Sequence, residues 1–339
     1  GSLVQGKMVA ALRRLGFDKV FDTDLGADIT IMEEATEFIS RLKENKNLPM
    51  ITSCSSGWIN YAEKFYPESL NHLSTTKSPM EILGTIIKTY YAEKEGIDPK
   101  DIYSVALMPC SAKKAEIIRD ELKLENGLQA VDNVITTREM ARMLKEANID
   151  LAALEDEEYD KPLGEATGAG HIFGTTGGVM EAALRSVYYL LDGTEIENVE
   201  FKMVRGNKDI KEAEIIVQGK KHKIAVAQGL SNASKLLDEI KENKSPYSFI
   251  EIMTCPGGCI NGGGQPIVNE YKASKIDVRG LRAKALYNAD KKATYRKSHQ
   301  NPEVKILYKE FLESPNSKTA HKLLHTRYNK QEVYAERED

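Results

Sequence analysis

The chain has 339 residues, 41% of them hydrophobic and 29% charged, with 47 Lys+Arg against 51 Asp+Glu and a formal net charge of -4. That is a globular composition, long enough for one large domain or two lobes that each bury a core. No run approaches the eighteen or so apolar residues of a membrane span, and the basic residues are scattered among acids, so neither a membrane nor a nucleic acid is expected as partner. Gly1-Ser2 reads as a cleavage scar, no basic-then-apolar leader follows it, and the expected location is the cytoplasm.

In chain order, residues 29–42 place Ile29, Ile31, Met32, Phe38, Ile39 and Leu42 at roughly helical spacing, with Asp28 or Thr30 as cap. Glu34, Glu37 and Arg41 fall at i, i+3 and i+7 of that helix and share a face, a pattern that is usually just solvated. Short apolar runs predict strands at 49–53, 105–108 and 131–135, and helices are expected at 78–93 and 138–147. Beyond an acidic stretch at 154–161, strands are expected at 199–204, 213–217, 223–227 and 249–253. The alternation gives an α/β fold in two lobes, approximately 45–165 and 166–290, the latter joined by the N-terminal segment, with a basic helical tail over 291–339.

Only four cysteines are present: Cys54, Cys110, Cys255 and Cys259. Cys54, Cys110 and Cys255 each follow the C-terminal end of a predicted strand, where open α/β sheets line a ligand crevice. Cys255-Pro-Gly-Gly-Cys259 runs into Asn261-Gly-Gly-Gly264, too glycine-rich for an element core and suited to backbone lying close against a bulky object. Four soft thiolates match a cubane iron-sulfur cluster or a tetrahedral zinc site. Zinc usually takes two close pairs, whereas here two ligands would come singly from distant loops. The glycines of 168–174 make a weak dinucleotide signal, and the glycines at 177 and 178 open an expected helix. His321 and His325 stand at metal-ligand spacing but lack the glutamate of a metalloprotease helix.

Three segments together resemble the catalytic domain of iron-only (di-iron) hydrogenases: Thr52-Ser-Cys-Ser-Ser-Gly-Trp58, Met108-Pro-Cys-Ser-Ala-Lys-Lys-Ala-Glu116 and Glu251-Ile-Met-Thr-Cys-Pro-Gly-Gly-Cys-Ile-Asn-Gly-Gly-Gly-Gln-Pro266. The resemblance implies a small mixed sheet flanked by helices in each lobe. Between the lobes lies a 4Fe-4S cubane joined through cysteine to a di-iron unit with carbonyl, cyanide and a bridging azadithiolate. Carried over by position, Cys110, Cys255 and Cys259 resemble the cluster thiolates, Cys259 the bridge, and Lys113 the donor to a cyanide ligand. Glu116 closes the second motif and, on residues alone, is a partner for Lys113 or an arginine. Met108, Met253, Pro109, Gly258 and Gln265 resemble the cofactor lining. Arg41, Glu37, Ser74, Glu34 and Cys54 resemble a proton relay from surface to cofactor.

The family's first motif ordinarily has adjacent cysteines, relay then cubane ligand, followed by proline. Here the run is Cys54-Ser55-Ser56, leaving Ser55 in the ligand position unless Cys54 is recruited instead. The chain also begins after the strand that opens the family's domain, and its four cysteines leave none for accessory clusters, so electrons are expected from ferredoxin or a similar external carrier, with maturation proteins supplying the di-iron unit. The implied activity is reversible proton reduction to hydrogen, or an impaired or truncated form of that enzyme. A hydrogen sensor of the same family and a non-catalytic iron-sulfur assembly protein are the alternatives.

Overall fold

The computed structural model describes residues 3–217 and 219–334, and the Gly1-Ser2 scar expected from sequence lies outside them. A short helix α1 (Gln5–Arg14) leads into α2 (Thr23–Glu44), which is buried without interruption from Leu25 to Ala35. Periodicity places its start at residue 29, whereas the cap is Asp22, whose side chain accepts from Asp24 N at 3.0 Å. A helix enclosed on all sides lacks the apolar–polar alternation that marks an end in sequence. Asp28 is instead a buried acceptor, taking hydrogen bonds from Thr167 N (2.8 Å) and Oγ1 (2.6 Å), Ser298 Oγ (2.7 Å) and Asn301 Nδ2 (2.9 Å). Thr30, the other expected cap, donates back to Gly26 O at 2.8 Å.

The chain continues through β1 (Met50–Ile51), α3 (Ser56–Phe65), α4 (Pro79–Ile86), β2 (Val105–Met108), β3 (Asn133–Thr136) and α5 (Thr137–Glu146). It then forms α6 (Gly178–Asp192), β4 (Ile210–Val217), β5 (Lys220–Gln228), α7 (Leu230–Lys241), β6 (Tyr247–Met253) and α8 (Val278–Lys292). The expected helix at 78–93 is α4 followed by a π-helical turn at Ile87–Tyr91. The larger sheet has the order β1-β6-β5-β4, with β1/β6 and β6/β5 parallel and β5/β4 antiparallel, while β2 and β3 form a separate parallel pair. The α/β architecture is present, its larger sheet mixed and its smaller one a parallel pair. β1 lies in the 45–165 span and its partner β6 in the 166–290 span, so the larger sheet draws on both.

The strand expected at 199–204 is not one: it is a loop with a short 3-10 turn at Lys202–Val204. Buried Val199 and Val204 supply the apolar signal, but the Val199 carbonyl is taken by Arg185 Nε at 2.8 Å rather than by a neighbouring strand. The acidic stretch is likewise pinned rather than free, because Arg13 of α1 pairs with Glu157 (2.5 Å) and Asp160 (2.9 Å). No helix among the described residues is long and apolar enough to cross a membrane.

α2 and α6 cover the larger sheet, and Phe38 of α2 stacks on Phe249 of β6 with ring centroids 4.7 Å apart. Both rings are fully buried. Phe249→Ala is expected to cost about 3–5 kcal/mol, the usual loss for an aromatic removed from a packed core, and a urea titration reads it directly. A loss below about 1 kcal/mol would mean that the α2–sheet contact contributes little to holding the domain together.

Candidate functional site

The parallel pairing of β1 with β6 brings their C-terminal ends to one edge, which places Cys54 and Cys255 in neighbouring loops. Cys110 follows the end of β2 in the same manner. Burial pushes the Cys259 thiol up to about 12, with Cys110 adding to the shift, Lys113 opposing it and Cys255 adding further. Burial, then Cys110, raises Cys255 as well. The three thiols thus lie within electrostatic reach of one another and of a buried ammonium. Among the described residues no three His, Cys, Asp or Glu converge as they would on a single ion. The ring planes of His321 and His325 stack, with centroids 4.2 Å apart.

The glycines close the protein on itself. A Cβ on Gly262 would lie 2.2 Å from Pro109 O and one on Gly264 2.9 Å from Cys110 N, so both are needed for the third-motif loop to lie against the second. Gly264 N donates to Pro109 O at 2.9 Å. Gly258, at φ +94, passes the 174–176 loop, where a Cβ would meet Gly174 O at 2.7 Å. These glycines thus lie against protein backbone in neighbouring loops. The glycines of 168–174 cradle no phosphate either: Gly168 packs on Asp290 and Gly170 on Asp24. Met253 is buried in the main core, and Met108 packs at the edge of a smaller one around Met80 and Val134. Gln265 lines a surface cleft beside the Gly262–Gly263 loop.

Lys113 is buried and donates to Glu116 Oε1 (2.9 Å) and Oε2 (2.7 Å) and to Cys54 O (3.1 Å). Glu116 is thus the partner of Lys113, and it also accepts from the hydroxyls of Ser56 and Ser78. A charge this deep persists only when paired and hydrogen-bonded.

Of the other expected residues, Arg41, Glu37 and Ser74 are joined by hydrogen bonds, and Glu34 and Cys54 lie deeper. Arg41 Nη2 donates to Glu37 Oε1 at 2.6 Å, and its guanidinium also holds the carbonyls of Leu73 (2.6 Å) and His72 (3.1 Å). Glu37 Oε2 accepts from Ser74 Oγ at 3.2 Å and from Thr75 N and Oγ1 at 3.0 and 3.1 Å. Deeper in, burial raises Glu34 to about 8, a Ser74 hydrogen bond opposes this, and the Glu37 charge adds to it. Glu34 Oε2 has no hydrogen-bond partner among the described residues. Burial, then Glu34, drives the Cys54 thiol well above its ordinary value.

Residues 2–263 match the family described as iron only hydrogenase large subunit, C-terminal domain, and residues 276–331 match iron hydrogenase small subunit. The chain belongs to the iron-only hydrogenase family. It is 49% identical over 327 residues to iron hydrogenase 1 of Clostridium pasteurianum, covering 96% of this chain and 57% of that protein. With the NADP-reducing hydrogenase subunit HndD of Solidesulfovibrio fructosivorans it shares 48% over 338 residues, 98% of this chain and 57% of the relative. The structure of the FeFe-hydrogenase HydA1 from Chlamydomonas reinhardtii superposes with a TM-score of 0.84 at 41% identity, covering 97% of this chain and 88% of that one. The chain spans little more than half the length of these two sequence relatives.

Within this iron-only hydrogenase fold, Cys54 and Ser55 face different neighbours. The Cys54 thiol feels Glu34, Lys113 and Cys259, whereas Ser55 Oγ lies 2.8 Å from Thr254 Oγ1 and accepts from Thr254 N at 3.2 Å, next to Cys255. Adjacent side chains of an extended segment point opposite ways, which accounts for the split. Three contacting residues escaped the sequence reading. Thr75 carries no motif. Glu251, which caps α6 through Gly177 N (2.6 Å) and Met180 N (2.7 Å), reads as a strand residue, and Thr254 is a plain motif spacer.

Proposed function

We propose that this chain is the catalytic domain of an iron-only hydrogenase that reversibly reduces protons to hydrogen. The observation that carries this reading is a gathering of three half-buried thiols at the inner end of a file of proton-exchanging groups that runs from Arg41 and Glu37 to Glu34 and Cys54. The donor set fits a cubane: Cys110, Cys255 and Cys259 would hold a 4Fe-4S cluster, with Ser55 in the fourth position and Lys113 offsetting buried negative charge. Cys259 would also bridge to the di-iron unit with carbonyl, cyanide and azadithiolate, lined by Met108, Met253, Pro109, Gly258 and Gln265. When bound, this cofactor would relay electrons from the carrier and supply the metal at which hydrogen forms. The protein holds it, keeps water out and passes protons from Arg41 and Glu37 through Ser74 and Glu34 to Cys54.

Electrons would come from ferredoxin or a similar carrier. A cleft of about 460 Å³ beside the Gly262–Gly263 loop, lined by Arg138, Arg279 and Arg282, suits an acidic protein of that kind. Maturation proteins would deliver the di-iron unit. Four free thiols suit the reducing cytoplasm as its location. A non-catalytic assembly role has no use for a buried proton line, which favours catalysis.

Infrared spectroscopy of anaerobically matured protein tests the reading. Bands of bound carbonyl and cyanide are expected. A sample that holds 4Fe-4S after maturation but lacks these bands belongs with the assembly proteins. Ser55→Cys supplies a second test. A thiolate is the softer donor to iron at nearly the same volume, so iron retained per chain and hydrogen evolution should both rise. Iron content that stays flat would show that Ser55 is not the missing ligand.

A further inference from the structure

The segment that matches the small-subunit family reaches the proposed proton line. The buried carboxylate of Glu33, on α2, takes its side-chain contacts from that segment: the Tyr308 hydroxyl, Asn316 N at 2.8 Å and His325 Nε2 at 3.0 Å. The other ring nitrogen, His325 Nδ1, lies 2.7 Å from Thr75 Oγ1. That hydroxyl donates to Glu37 Oε2 at 3.1 Å. A threonine has one hydroxyl proton, so when it is given to Glu37 the oxygen can only accept from His325, and Nδ1 carries hydrogen. The backbone holds the same register, with Thr326 N donating to Thr75 O at 2.7 Å and Thr76 bridged to His325.

We propose that His325 is a positioning residue for Glu37, acting through Thr75, so that docking of the 276–331 segment and proton delivery are coupled. The inference rests on the relay reading of Glu37. The titratable and charged groups facing His325 are Glu33 on α2, Tyr308, His321 stacked on its ring, and Glu37 with Arg41 beyond Thr75. Lys77 lies close in sequence to Thr75, but its ammonium points away toward Leu122 O.

Two amide replacements separate positioning from packing. An asparagine nitrogen falls near the Nδ1 position and a glutamine nitrogen near Nε2, and both variants lose the stack on His321. In the matured holoenzyme, His325→Gln should slow turnover about tenfold, the order of one hydrogen bond to a charged group, and move the pH profile. His325→Asn should recover most of the rate, and Thr75→Val should behave like His325→Gln. In protein without the di-iron unit, Glu37→Gln should move the NMR titration midpoint of the His325 ring. Equal rates in the Asn and Gln variants, a normal Thr75→Val, or an unmoved midpoint would overturn the proposal. Normal turnover in Glu37→Gln would instead remove the relay reading, while the midpoint still reports on the contact.

Discussion

Glu37→Gln in the matured protein is expected to slow hydrogen turnover by about 10² to 10⁴, the usual worth of a general acid–base group, with iron content unchanged. The amide keeps the size of the carboxylate but has one acceptor oxygen instead of two, so it keeps either the Arg41 contact or those of Ser74 and Thr75, and it no longer titrates. Glu37 and Arg41 mark the outer end, where both side chains keep some contact with solvent, at 12% and 11% exposure. Inward, the next carboxyl, Glu34, is enclosed, and burial lifts it to about 8. At pH 7 it therefore carries its proton and can donate toward Cys54, whose thiol is protonated for the same reason. Proton reduction should then fall as pH rises through about 8, where Glu34 ionises and its donor state is lost. Dye-driven hydrogen evolution across that range gives both readings. Turnover in Glu37→Gln equal to that of the parent protein would mean that protons arrive by another way.

The sequence made some of this site legible and hid the rest for physical reasons. Strand ends were readable because Val105–Met108 and Tyr247–Met253 are short apolar runs stopped by turn residues, and the cysteines follow them directly. The face shared by Glu34, Glu37 and Arg41 was readable from helical geometry, although spacing alone reads it as solvated. What it could not carry was the burial of Glu34, whose neighbours Ser74 and Glu251 arrive from far along the chain. The start of α2 was misplaced because Leu25–Asp28 is as enclosed as the residues after it. The glycines of the third motif were rightly singled out for close approach, but the partner is the Pro109–Cys110 backbone, a long-range contact. His325 was noticed only as half of a possible metal pair. Its contacts with Glu33 and Thr75 join positions 292 and 250 residues apart, and no local pattern encodes them.

Cys259→Ala should abolish cluster binding altogether, whereas Cys54→Ala should leave iron largely in place and cut turnover. Cys259 would serve both halves of the cofactor, and a cubane already offered a hydroxyl at Ser55 has no thiolate to spare. The loop around Cys259 cannot move to bring another donor in. Ile260 N is bonded to Gly174 O at 3.0 Å, Gly264 N to Pro109 O at 2.9 Å, and Gly258 is wedged against the 174–176 backbone. Cys54 lies on the other side of its peptide from Ser55, toward Glu34 and Lys113, so on the proposed reading removing its thiol should interrupt proton delivery rather than ligation. Iron and sulfide analysis of reconstituted protein separates the two roles. If Cys54→Ala loses iron and Cys259→Ala keeps it, the fourth ligand is Cys54 and the assignment of both residues must be exchanged. If both variants keep full iron content, the thiols do not hold a cluster and the hydrogenase reading falls with them.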